Sequence, residues 1–203
     1  MPSITKQKSF KRSYPLSSGG GKRRRLLPAL VLLLLAIAAW AAYRFAYLSP
    51  EKSTRLQALG HEHMRRGENE AAIDAYSAAM RRDPSSSTAA YNRGTAYLNS
   101  GRYEDAIDDF TRAIGLDPSM TLYYNNRGSA YFQAGNYGKA IEDYTALIAA
   151  SPRNATAYYS RGRAFYHRGS RDEALRDFRK AFELGATQAK GMIEGLNRNM
   201  KKK

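Results

Sequence analysis

Pro84, Pro118 and Pro152 recur at an interval of 34 residues, and the chain between them recurs in the same register. A period of this size constrains the fold more than any composition could. One such unit is too small to bury its own apolar face, so stability must come from stacking neighbours into a one-dimensional array. The repeated phrase reads Tyr91-Asn92-Arg93-Gly94-Thr95-Ala96-Tyr97, then Asn125-Asn126-Arg127-Gly128-Ser129-Ala130-Tyr131, then Tyr159-Ser160-Arg161-Gly162-Arg163-Ala164-Phe165. A glycine follows each at Gly101, Gly135 and Gly169, and then a second phrase: Ala106-Ile107-Asp108-Asp109-Phe110, Ala140-Ile141-Glu142-Asp143-Tyr144 and Ala174-Leu175-Arg176-Asp177-Phe178.

Each period predicts a helical hairpin, and the register divides the chain into units 53–86, 87–120, 121–154 and 155–188. The first helix carries a glycine at its eighth position, Gly60, Gly94, Gly128 or Gly162, where the missing side chain admits a close partner. The later glycine ends that helix and turns the chain. The second helix brings Ala72, Ala106, Ala140 or Ala174 and, four residues on, an aromatic ring to one face. Proline closes the first three units, whereas the fourth has Ala186.

These positions resemble the tetratricopeptide repeat over residues 53–188, with unit one the most divergent: His63 stands where the others have Tyr97, Tyr131 and Phe165. The resemblance implies an all-α superhelix of helical hairpins whose concave face binds a peptide or a partner helix. It also implies groove-facing places on each first helix. Units two to four fill these with Thr88, Tyr91, Thr95, Leu98 and Asn99; with Leu122, Asn125, Ser129, Phe132 and Gln133; and with Thr156, Tyr159, Arg163, Tyr166 and His167. From these the expected ligand-binding residues are Tyr91, Thr95, Asn99, Asn125, Ser129, Phe132, Gln133, Tyr159, Arg163, Tyr166 and His167. Hydroxyls, amides and rings suit an extended peptide, and Arg163 is the one strong charge among them. The chaperone-tail clamp of some family members is a poor fit, because Gln57, His61, Leu122 and Asn126 stand at its places and only Asn92 agrees.

Comparing the repeats with one another isolates a second set. Arg93, Arg127 and Arg161 recur at the seventh position, with Asp109, Asp143 and Asp177 at the twenty-third; unit one has Leu59 and Ala75 instead. Joint loss of both types predicts bidentate Arg–carboxylate pairs that tie the two helices of a hairpin. The competing reading makes the arginines ligand contacts.

Ahead of the repeats, Leu26–Tyr43 is free of charge and rich in Leu, Ile, Val and Ala, and as a helix it reaches about 27 Å. The expectation is a transmembrane signal-anchor over 26–48, with Arg44 snorkelling and Trp40, Tyr43, Phe45 and Tyr47 at the interface. Rival readings are a buried helix and a cleaved secretory signal with a site at Ala39-Trp40-Ala41. Basic residues from Lys6 to Arg25 outnumber those after the span, which predicts a single-pass protein with a cytoplasmic N-terminus and extracytoplasmic repeats, periplasmic in a bacterium. Residues 1–25 then form a basic disordered tail, 49–52 a linker, and 189–203 a short capping helix with a basic tail. The lipid bilayer joins a protein or extended peptide as an expected partner.

The net charge of +15 raises nucleic acid as a ligand, but the charge lies at the ends. Residues 1–52 hold ten Lys or Arg against one acid, while 53–188 hold eighteen against sixteen. No specific nucleic acid is expected. Without cysteine, and with only His61, His63 and His167, no metal or other cofactor is expected either. No nucleophile–His–acid spacing, phosphate loop or zincin pair is present, so the chain reads as a membrane-anchored adaptor that scaffolds a complex, not an enzyme. A cell-wall or glycan-binding module and a passive spacer are the alternatives.

Overall fold

A computed structural model describes residues 21–47 and 50–200. They form ten helices and no strand. The first, α1 (Gly21–Tyr47), falls but for its last residue in a compact unit that ends at Ala46; the second unit begins at Tyr47 and holds all the repeats.

Among the described residues no helix is long and apolar enough to cross a membrane. This corrects the membrane-anchored reading: the transmembrane signal-anchor over 26–48, the bilayer as partner, and the single-pass topology that followed from them. The helix also begins at Gly21, inside the segment read as a disordered tail; residues 1–20 and 201–203 of the two expected tails lie outside the described residues. Pro50 and the residues after it, read as a linker, open the next helix.

The repeats form hairpins in strict succession. α2 (Pro50–Arg65) packs on α3 (Asn69–Arg82), α4 (Ser87–Asn99) on α5 (Tyr103–Leu116), α6 (Thr121–Gln133) on α7 (Tyr137–Ala150), and α8 (Ala155–Arg168) on α9 (Arg171–Glu183). Each second helix then packs on the first helix of the next unit, and α10 (Ala189–Met200) closes the series against α9. α4 and α6 also approach each other across α5, so the first helices lie on the inner side of the curved array.

The tight seam within each hairpin follows from two residue types. A Cβ at Gly94 would stand 2.9 Å from Phe110 Cε1, and one at Gly128 would stand 3.0 Å from Tyr144 Cε1, closer than packed carbons tolerate. Glycine therefore lets an aromatic ring lie against the backbone, and Phe110 and Phe178 are completely buried there. At the inner turn Gly101 has φ +74°, the Arg102 N–H donates to Tyr97 O at 2.9 Å, and the Gly101 N–H donates to Leu98 O at 3.1 Å, which is a Schellman ending. The fourth unit, which lacks the closing proline, ends α9 in the same way: the Ala186 N–H reaches Ala181 O at 2.8 Å past Gly185.

α10 begins like another first helix but carries Leu196 at the position where the others carry glycine. No second helix follows in the described residues, and Leu196, 3% exposed, belongs to the core cluster that includes Leu175, Phe178 and Ala181 of α9.

Candidate functional site

Two groups of side chains occupy the first helices, one turned into the stack and one turned to the inner surface. In the stack, Arg93 donates from Nε and Nη2 to the two oxygens of Asp109, each at 2.7 Å. Arg127 does the same to Asp143 at 2.9 and 2.7 Å, and Arg161 to Asp177 at 2.7 and 2.9 Å. All three carboxylates are buried. The remaining Nη1 of each arginine donates to a hydroxyl on the second helix of the preceding unit: Ser77 at 3.0 Å, and Thr111 and Thr145 at 3.1 Å. Each guanidinium thus joins three helices, and aromatic rings from its own helix flank it, as Tyr124 and Tyr131 flank Arg127.

Burial pushes the Asp143 carboxyl above its ordinary value, although Arg127 pulls it down. The Arg127 guanidinium is raised in turn, chiefly by its hydrogen bond to Asp143. The two directions are compatible: a carboxylate removed from water is costly, and the bidentate arginine keeps it ionised. Both oxygens of each carboxylate, and Nε, Nη1 and Nη2 of each guanidinium, thus have protein partners.

On the inner surface the expected ligand-binding residues divide. Tyr91 is half-buried, packed against Phe110 and Tyr123 with centroids at 5.7 and 5.1 Å, and its hydroxyl accepts from Asn126 Nδ2 at 2.9 Å. Tyr159 lies similarly on Phe178 at 5.6 Å. Thr95 Oγ1 donates to Tyr91 O at 3.0 Å, and Asn125 Nδ2 to Asn126 Oδ1 at 3.1 Å. Ser129 is half-buried, while Asn99 and Gln133 are exposed. Nearer the N-terminus, Asn92 Nδ2 and His61 Nε2 meet at 3.0 Å across units one and two.

The structure gathers Phe132, Arg163, Tyr166 and His167 into one cluster between units three and four. The Arg163 guanidinium lies 4.5 Å from the centre of the Phe132 ring. His167 meets Phe132 edge-on at 5.2 Å and Tyr166 edge-on at 5.6 Å. Tyr137, at the start of α7, completes the group 5.3 Å from His167 and 5.4 Å from Phe132. Sequence reasoning missed Tyr137, because it lies beyond the turn on the second helix. It also missed Ser77, Thr111 and Thr145, although a hydroxyl recurs at the twenty-fifth position of units one to three and is replaced by Arg179 in unit four.

Among the described residues no group of three or more His, Cys, Asp or Glu is placed to hold a metal ion. A shallow cavity of about 340 Å³, lined by Pro118, Tyr124, Leu147 and Ala150, lies away from this cluster.

A family model described as tetratricopeptide repeat matches residues 58–121 and 125–189. No curated protein matches the chain. Among solved structures, a crystal structure of MamA is 34% identical with a TM-score of 0.64, over 70% of this chain and 83% of that one. MamA from residue 41 to the end, from Desulfovibrio magneticus RS-1, superposes with a TM-score of 0.70 at 22% identity, over 74% and 86%. The first tetratricopeptide repeat domain of Spaghetti (RPAP3), bound to the HSP90 peptide SRMEEVD, has a TM-score of 0.56 at 27% identity, over 58% and 94%. The likeness is to repeat proteins.

Proposed function

The chain belongs to the tetratricopeptide repeat family, and on that premise we propose that it is an adaptor that holds an extended segment of another protein along the inner surface of units two to four. One observation carries this reading: the stack-facing positions repeat from unit to unit, while the inner positions do not. Arg, Asp, Gly and the buried ring recur in register, as a scaffold requires. The inner surface instead varies among Asn99, Asn125, Gln133, Arg163, Tyr166 and His167, a mixture of amides, rings and charge at half-buried or exposed positions. A spacer needs the first set and has no use for the second. The relative bound to an HSP90 peptide supports an extended peptide as the form of ligand.

Within the expected binding set, Tyr91 and Tyr159 are offered as ring walls already committed to packing. Asn99, Asn125, Gln133, Arg163, Tyr166 and His167 are the direct contacts. Amides there would bond the peptide backbone, whose N–H and C=O groups must be satisfied once water is displaced.

Photo-crosslinking side chains placed at Asn99, Gln133 and Tyr166, and separately at exposed Asp108 and Arg176 on the outer helices, test the reading in native extract. Capture of the same protein from the inner positions is expected. Capture chiefly from the outer positions would move the binding surface to the second helices and sink the proposal.

A further inference from the structure

The charge of the array is sorted between its two layers. The inner helices α4, α6 and α8 contain no Asp or Glu, whereas α5, α7 and α9 carry all the acids of those hairpins' helices. On the inner helices, three arginines spend their charge on buried aspartates. Arg163 does not: it is exposed, and no described carboxylate lies within salt-bridge distance of it.

Its surroundings are built to orient it. Phe132 supports the guanidinium at 4.5 Å, a contact that fixes the plane of the fork while leaving its N–H edge for a ligand. One helical turn further on, His167 shares the same face of α8 and is held by Phe132, Tyr137 and Tyr166 from three sides. An oriented fork beside an imidazole N–H, in a surface free of competing acids, matches the two oxygens of a carboxylate. A phosphate dianion, with three acceptor oxygens, calls for more donors than these two groups supply.

Resting on the adaptor reading above, we infer that Arg163 and His167, seated on Phe132, form a carboxylate-recognition site that selects an acidic side chain within the bound segment.

Pools of acetylated, amidated nonapeptides, randomised except for a fixed central residue, test this against the immobilised full chain. The fixed residue is Glu, Gln or phosphoserine, and a further Gln pool carries a free C-terminal carboxylate. Retention of the Glu pool about tenfold above the amidated Gln pool is expected, and R163Q should bring that ratio to about one without moving the melting temperature. R163K should keep part of the preference, because its charge remains while the planar fork is lost. Equal retention of Glu and Gln pools by the wild type, an undiminished ratio in R163Q, or stronger retention of the phosphoserine pool would overturn the carboxylate site. So would preference for the free C-terminus over the internal Glu, which would assign the site to a chain end. If Glu and Gln pools bind equally and N125A weakens both, the groove stands and only the carboxylate site falls; if no pool is retained, both fall.

Discussion

A buried carboxylate with one cationic partner makes the stability of this fold sensitive to single atoms. Asp143 is 5% exposed and depends on Arg127 for its charge. Arg127→Gln keeps much of the side chain's bulk but removes the charge, and is expected to cost about 3 kcal/mol at neutral pH. The pH dependence follows from Asp143, whose pKa in the folded protein is raised from 3.8. A raised group gives stability that is complete below its unfolded value and is lost as pH rises through its folded value. Without the arginine the folded value climbs further, so the variant should approach the wild type in acid and fall away from it as pH rises toward 7. Urea midpoints at about pH 4 and pH 7 would show this; equal losses at both would mean that the carboxylate does not need its cation. The same reasoning holds at the alkaline end. Burial pushes Tyr76 and Tyr144 up to about 12, so stability should decline from about pH 10, where unfolded phenols ionise, toward 12. Tyr144→Phe should flatten part of that decline in an alkaline denaturation series.

Helices within the repeat are specified by what each position must avoid as much as by propensity. Gly94→Ala gains helix propensity of up to about 1 kcal/mol yet drives a Cβ to 2.9 Å from Phe110, and is expected to destabilise by a net 1–3 kcal/mol, roughly the cost of overpacking. Gly115 is the control: it lies in α5 with nothing within 4 Å of its would-be Cβ, and Gly115→Ala should stabilise by about 0.5 kcal/mol. Chemical denaturation of the pair should give opposite signs. A comparable contrast exists at the helix starts. Ser86 and Asn154 accept from the N–H three residues on, at 3.1 and 3.0 Å, while Met120 at the same place caps nothing. Met120→Asn should therefore raise stability by about 1 kcal/mol, and an unchanged midpoint would show that α6 starts as well without a cap. These elements were legible in the sequence because four copies expose which residues recur. The Arg–Asp spacing could be read for the same reason. What repeats do not expose are contacts between non-repeating residues, which is why Tyr137 at the head of α7 and the seat that Phe132 offers Arg163 appear only once the turns are folded. The apolar run ahead of the repeats misled in the opposite sense: its freedom from charge suggested a membrane span, but no helix among the described residues is long and apolar enough to cross a membrane.

At the scale of the molecule the array is finite because its ends are written into the ladder. Each arginine needs an aspartate in its own unit and a hydroxyl in the one before. Unit one carries Leu59 and Ala75 in place of the arginine and aspartate; past unit four the arginine's place in the register is taken by Gly195, and unit four itself carries Arg179 where the hydroxyl would be. α10 then covers the last hairpin, with Leu196 packed among Leu175, Phe178 and Ala181. Since each helix packs mainly on its immediate neighbours, a defect at this end should travel only as far as the coupling between units carries it. Leu196→Ser replaces a buried apolar side chain by a hydroxyl and is expected to loosen the C-terminal end by about 2–4 kcal/mol. Hydrogen exchange read helix by helix would locate the loss. Protection should fall most in α10 and α9, less in α8 and α7, and hardly in α2 and α3. A uniform fall from α2 to α10 would show that the stack unfolds as one unit. In that case the ladder, which links every hairpin to the one before it, would be the coupling to break next, by removing the Thr111 and Thr145 hydroxyls.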